Sequence, residues 1–232
     1  MTENRSAEQI AENLKMIRDN VGNACAKYGR NPEEVTVMAV TKTVPPELVN
    51  IAVDNGIALL GENKAQELVS KYDAYRLKKD NIHFIGHLQT NKVKQVFDKV
   101  DVIESVDSFR LAEVIDRFAE KGNIKKKIML EVNIAKEESK HGVFPELVPT
   151  LLEQLSSLRH IEVEGMMVIP PVGRSEEYFA MTQNFFVDMQ AKKMDNINMR
   201  ILSMGMSGDY ITAIRYGSNL IRLGTAIFGS RK

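Results

Sequence analysis

The sequence predicts an α/β fold: a single (β/α)8 TIM barrel with an N-terminal helical extension. Eight short apolar runs recur along the chain, and a helical stretch follows each of them except the last. The runs are continuously apolar rather than alternating, the pattern of parallel strands buried on both faces. The length, 232 residues, lies near the roughly 250 typical of such a barrel. An open doubly wound sheet is the rival, but it usually has fewer strands and leaves edges to protect.

The first element is a helix over Ser6 to Tyr28, with Ile10, Leu14, Ile17 and Val21 on one face, Ser6 as N-cap and Gly29 as stop. The first strand is Val35–Val40, with a helix from Pro46 to Asn55. The second is Ala58–Leu60, with a helix from Glu62 to Leu77. The third is His83–Ile85, with a helix around Asn91 to Phe97. The fourth is Val102–Glu104, with a helix from Ser108 to Lys121. The fifth is Ile128–Val132, with a helix from Pro145 to Leu155. The sixth is Val163–Ile169, with a helix from Ser175 to Lys193. The seventh is Arg200–Met204, with a short helix from Asp209 to Tyr216. The eighth is Leu220–Leu223. No long helix follows it, and the N-terminal helix fills that gap in the outer ring. Residues 1–232 read as one domain without linkers, residues 1–30 forming the extension.

Thirty-one basic residues balance thirty-one acidic ones, so no global charge draws the chain to nucleic acid or anionic membrane. One cysteine, Cys25, excludes an internal disulfide and a cysteine-rich zinc site. No secretory leader and no membrane-length apolar run are present, so a cytoplasmic location is expected. Lys125–Lys127 reads as a solvated face at the bottom of the barrel.

In such a barrel the active site lies at the C-terminal ends of the strands. Lys42 follows the first strand. Desolvation there would leave a nucleophilic amine, while a lysine snorkelling to solvent is the plainer reading. Ser207-Gly208-Asp209 after strand seven and Gly224-Thr225 after strand eight offer small residues, hydroxyls and free N–H groups suited to a phosphate. Simple capping explains them equally well. Closure brings Arg222 beside Lys42; alternatively, Arg222 is tied to Glu131 or to a strand-end carbonyl. The pair His83 and His87 spans a strand and its loop rather than one helix face, so no metal site is expected from it, and His83 reads as a core histidine.

These residues sit within stretches that run in order along nearly the whole chain: VMAVTK (37–42), GENKAQE (61–67), HFIGHLQTNK (83–92), SVDS (105–108), EVNIAKEESKHG (131–142), GMMVIP (165–170), LSMGMSGDYITAI (202–214) and GSNLIRLGTAIFG (217–229). With them the chain resembles the pyridoxal phosphate homeostasis proteins, whose fold is similar to the barrel domain of alanine racemase. The resemblance implies pyridoxal 5′-phosphate (PLP) as cofactor, held as a Schiff base on Lys42. It also implies phosphate contacts from Ser207, Gly224 and Thr225, a pyridine-nitrogen contact from Arg222, and Asn63 lining the cofactor. Ile82, Lys64 and Asn219 stand where the family often has an aromatic residue, Tyr and Thr.

An arginine at the pyridine nitrogen disfavours carbanion chemistry. The β domain that gives alanine racemase its second acid/base group has no counterpart in the sequence. A monomeric carrier without turnover is therefore expected, with apo-PLP enzymes as recipients. The alternatives are a slow PLP-dependent amino-acid racemase and a cofactor-free lysine Schiff-base aldolase.

Overall fold

The computed structural model describes residues 6–171 and 173–230. Residues 1–5, over which no leader is expected, lie outside the described residues, as do 172, 231 and 232. Eight parallel strands close into a barrel in sequence order, β8 returning to pair with β1. They are β1 (Thr36–Val40), β2 (Leu59–Glu62), β3 (Ile82–Phe84), β4 (Val102–Val106), β5 (Lys126–Val132), β6 (Ile161–Val168), β7 (Ile197–Ser203) and β8 (Leu220–Leu223).

The helices are α1 (Ala7–Tyr28), α2 (Pro46–Asp54), α3 (Ala65–Lys71), α4 (Val93–Val96), α5 (Phe109–Lys121), α6 (Val148–Leu155), α7 (Ser175–Gln190), α8 (Tyr210–Arg215) and α9 (Thr225–Phe228). The TIM-barrel expectation is borne out. The expected helix over 62–77 is shorter, because Glu62 ends β2 with its side chain buried, and a 3₁₀ turn at Tyr72–Ala74 brings Tyr75 back onto that carboxylate.

Helix α1 packs against α2, α8 and α9, in the gap left by the missing last long helix. The Ser6 side chain accepts from Gln9 N, and left-handed Gly29 closes the other end. Ile10, Leu14, Ile17, Val21, Ala24 and Cys25 form its buried face. Each of the four aliphatic residues contributes about 2 kcal/mol of burial. Asn13 Nδ2 donates to Ile227 O (3.0 Å) and Asn20 Nδ2 to Tyr210 Oη (3.1 Å), which fixes the helix against the two elements that follow β7 and β8.

The large core lies between strands and helices, and a smaller one of Met38, Val40, Ile85, Met167 and Leu220 lies inside the barrel. Residues at alternate positions along each strand face inward. In β8 Leu220 therefore places Arg222 inside, and in β3 His83 points inward between two residues of the outer core. Polar side chains line the barrel axis above the inner apolar layer for this reason.

One expectation is corrected. Lys126 is buried, not part of a solvated face. Its ammonium donates to Phe97 O (2.8 Å) and to Val100 O and lies 5.0 Å from the Phe97 ring centroid. The alternation of β5 turns the middle lysine of the run under the α4–β4 corner, while Lys125 stays exposed. Burial, assisted by Lys79, pushes its amine down to about 7.

Candidate functional site

A cavity of about 300 Å3 opens at the C-terminal ends of the strands. Lys42, Asn63, Ser207, Arg222, Gly224 and Thr225, the six residues expected from the sequence, all line it. They come from the loops after β1, β2, β7 and β8 and from β8 itself. Val40, Ile85, Ile169 and Met206 supply apolar walls. The volume is at the small end of ligand pockets and fits a compact, single-ring ligand.

Backbone donors from the loops after β7 and β8 border the cavity. Ser207, Gly208 and Thr225 line it, and their backbone N–H groups have no acceptor among the described residues. The hydroxyl of Ser207 accepts from Gly224 N (3.3 Å) and Ala226 N (3.0 Å), tying the loop after β7 to the start of α9. Convergent N–H groups of this kind favour a phosphate. Asp209 is not part of the cradle. Its carboxylate accepts from Met206 N (2.7 Å) and from Ser175 Oγ (2.7 Å), and so holds the loop in shape.

Lys42 is half-buried in a turn with an unusual backbone. Thr43, the next residue, has φ of 64°, a left-handed conformation that strains a β-branched residue. A clamp from β2 and α3 over-determines it. Glu67 accepts from Thr43 N and from Lys71 Nζ, while Lys71 Nζ also donates to Thr41 O (3.0 Å). Below them the buried carboxylate of Glu62 accepts from Thr41 Oγ1 (2.7 Å) and Tyr75 Oη (2.6 Å). Burial alone would raise the Glu67 carboxyl, but its bonds to Lys71 and Thr43 N outweigh that and hold it below the ordinary value. Burial and the Glu62 charge push the Tyr75 phenol well up, so it stays a donor. Sequence reasoning missed this clamp. Its signal was the i, i+4 pair of Glu67 and Lys71 beside the GENKAQE stretch.

Asn63 is positioned by a close backbone approach. A Cβ on Gly86 would overlap the Asn63 carbonyl, so only glycine fits there. The Asn63 Oδ1 is buried and has no partner among the described residues, leaving an acceptor for a ligand.

Arg222 is buried and cationic. Its NH2 donates to Val168 O (2.9 Å), so the alternative of a tie to a strand-end carbonyl is realised. Its NH1 donates to Ser203 Oγ (2.6 Å), Ser203 Oγ donates to Glu104 Oε2 (2.7 Å), and Glu104 Oε1 accepts from His83 Nδ1 (2.6 Å). Four inward positions on β8, β7, β4 and β3 thus form one buried chain. Burial alone would raise the Glu104 carboxyl; His83, Arg222 and Ser203 outweigh it and hold the group below its ordinary value. Burial lowers the Arg222 guanidinium, while Glu104, Glu131 and Asp209 pull it back up. His83 is a satisfied core histidine, as expected. Glu104 and Ser203 were not anticipated, although each is a polar residue inside an apolar strand run.

Glu131 faces the same interior from β5. Burial, then the charge of Asp107, raises its carboxyl to about 7 against the pull of Arg222. Its Oε2 is buried and unpartnered among the described residues.

Fold and site together define a barrel of the class carried by the model "Alanine racemase, N-terminal domain", which matches residues 10–232. Crystal structures of alanine racemase share the fold at low identity. The Corynebacterium glutamicum structure aligns with a TM-score of 0.73 and 13% identity, over 97% of this chain and 61% of that one.

Within the class, the chain belongs to the pyridoxal phosphate homeostasis protein family. The Aquifex aeolicus relative of that name is 38% identical over 225 residues, covering 95% of this chain and 98% of its own. The Escherichia coli K12 relative is 34% identical, covering 96% and 97%. A structure of Synechococcus elongatus PipY with PLP bound aligns with a TM-score of 0.79 and 32% identity, over 95% of this chain and all of that one.

Proposed function

We propose that this protein holds PLP covalently through Lys42 Nζ and carries it, without turnover, to apo-enzymes that require it. The observation that carries this reading is that Lys42, Arg222 and three residues whose backbone N–H groups have no acceptor among the described residues line one small cavity. The PLP-bound relative supports it. When bound, the cofactor supplies a reactive aldehyde carbon and an electron-withdrawing ring. Ser207, Gly208 and Thr225 grip its phosphate. Lys42, on its strained and clamped turn, presents the amine. Arg222, held from behind by Ser203 and Glu104, would offer a bound ring nitrogen N–H donors and a fixed positive charge, which disfavours its protonation. Val40, Ile85 and Ile169 would give the bound ring apolar surroundings.

The protein acts as a cytosolic monomer in this reading, and residues 1–232 form one functional unit. No helix among the described residues is long and apolar enough to cross a membrane. A second reading, a slow amino-acid racemase, is favoured by Glu131, whose carboxyl titrates near neutrality inside the barrel mouth. Incubating the loaded protein with a single enantiomer of alanine in deuterated water separates the two. The carrier reading expects no α-proton exchange by NMR; steady exchange that ceases in Glu131→Gln establishes the racemase instead.

A further inference from the structure

On the side of the barrel rim away from Lys42, the loops after β3, β4 and β5 bring together His87, Asp107 and His141. One ligand atom from each lies within 4.8 Å of the other two. The two imidazoles are stacked, with ring centroids 3.8 Å apart and planes 10° from parallel. Neither ring makes a hydrogen bond among the described residues. His87 Nδ1 is 3.8 Å from Asp107 Oδ2, beyond hydrogen-bond range.

The histidine from the β5 loop is held rather than floating. Val143 N donates to Glu131 O (2.8 Å), Asn133 N donates to Val143 O (3.0 Å), and the Asn133 side chain closes the loop by donating to Glu137 O (2.8 Å). Gly142, at φ of 105°, makes the turn, and a Cβ there would come within 2.8 Å of Asn133 N. Packing alone gives no reason to bring two histidines and an aspartate, on three separate loops, into mutual range without hydrogen bonds.

We propose that His87, Asp107 and His141 form a binding site for a divalent transition-metal ion of the zinc class. Nitrogen and carboxylate ligands at about 2.0–2.2 Å from zinc stand roughly 3.3 Å from each other in a tetrahedral shell. The three groups, now within 4.8 Å of one another, would close to that spacing on binding, the imidazoles leaving their stack. Two imidazoles and one carboxylate satisfy zinc and leave one position open. A second cavity, of about 210 Å3, adjoins His141. Glu131, Asn133 and Ile169 line it, and Ile169 also borders the Lys42 cavity. The open position is left to water or to an anionic group in that space. A cation there also offsets the repulsion between Asp107 and Glu131. The site is separate from the cofactor-binding residues, and the proposal does not depend on what Lys42 holds.

The test is zinc competition against a chromophoric chelator, on tag-free protein stripped of bound aldehyde with hydroxylamine. One equivalent is expected to bind. His141→Ala and Asp107→Asn are each expected to weaken it by about tenfold or more. His160→Gln, at the other end of the barrel near Asp116, is expected to leave it unchanged. Cobalt in place of zinc is expected to give the visible bands of a four-coordinate nitrogen–oxygen site, absent in His141→Ala. Far-UV circular dichroism confirms that each variant is folded. No saturable zinc binding overturns the proposal and leaves the histidine pair as a packing contact. Binding that both variants leave intact overturns it as well, by placing the ion on other groups.

Discussion

The Glu104→Gln substitution probes the buried chain behind Arg222. Glutamine keeps the shape of the side chain. Its Oε1 can accept from Ser203 Oγ, which still accepts from Arg222, and its Nε2 can donate to His83 Nδ1 in the other imidazole tautomer, so both contacts survive as neutral hydrogen bonds. What is lost is charge. Each of the two bonds drops from the charge-assisted to the ordinary range, about 1 kcal/mol apiece. Arg222 also loses the buried Glu104 charge, leaving Glu131 and Asp209 as its anionic neighbours among the described residues. Leaving a buried charge unpaired costs about 3–5 kcal/mol in full, and the two remaining carboxylates reduce that. The expected loss is about 2–4 kcal/mol at neutral pH, or on the order of 10 °C in Tm for a chain of this size.

The folded-state pKa of Glu104 lies below its ordinary value. Its stabilisation is therefore complete above about pH 4.5 and fades as pH falls through the folded value. Urea unfolding of the PLP-free proteins at pH 7 and in acid checks both statements. The Glu104→Gln/Arg222→Met double variant should lose less than the sum of the single variants, because no orphaned charge remains. A loss below about 0.5 kcal/mol at pH 7, or one that persists undiminished in acid, would refute the coupling between Glu104 and Arg222.

Four further outcomes are expected. Glu131→Gln removes a carboxyl whose folded pKa is raised to about 7. Ionisation destabilises the wild type as pH rises through that value, so the variant should gain Tm over wild type at pH 8 and gain little at pH 5, in metal-free buffer. Lys126→Met strands the carbonyls of Phe97 and Val100 at about 1–3 kcal/mol each, partly recovered by apolar packing, and a net loss of about 2 kcal/mol should appear in urea unfolding. Glu67→Ala releases Thr43 N and Lys71, so PLP loading, followed by its visible absorbance, should slow and weaken while Tm falls only slightly. Gly86→Ala pushes into the Asn63 carbonyl, so it should lower both Tm and PLP affinity, and unchanged affinity would show that Asn63 does not line the bound ring.

The barrel was legible because its strands are short, doubly buried and interrupted by helices at a regular spacing, which the order of apolar runs records. Lys42, Ser207, Gly224 and Thr225 were legible because each stands just beyond a strand end, where this architecture places its chemistry, while Asn63 came from the family resemblance. Glu104, Ser203 and Arg222 show where linear reading stops. Each is one polar residue in an apolar run, and only barrel closure reveals that β4, β7 and β8 point them at one another. His87 and His141 lie 54 positions apart, so no spacing rule pairs them, and the fold of the β5 loop does. Lys126 failed for a related reason: in a run of three lysines, nothing local tells which one the strand turns inward.

The central claim is that Lys42 is the residue that bonds to PLP. Borohydride reduction of the loaded protein, proteolysis and mass spectrometry of the peptides test it directly. The account predicts one phosphopyridoxyl group per chain, on the peptide containing Lys42, and none in Lys42→Ala. A group found instead on Lys126, the buried amine with a depressed pKa, or a Lys42→Ala protein that still retains it after reduction, would contradict the account.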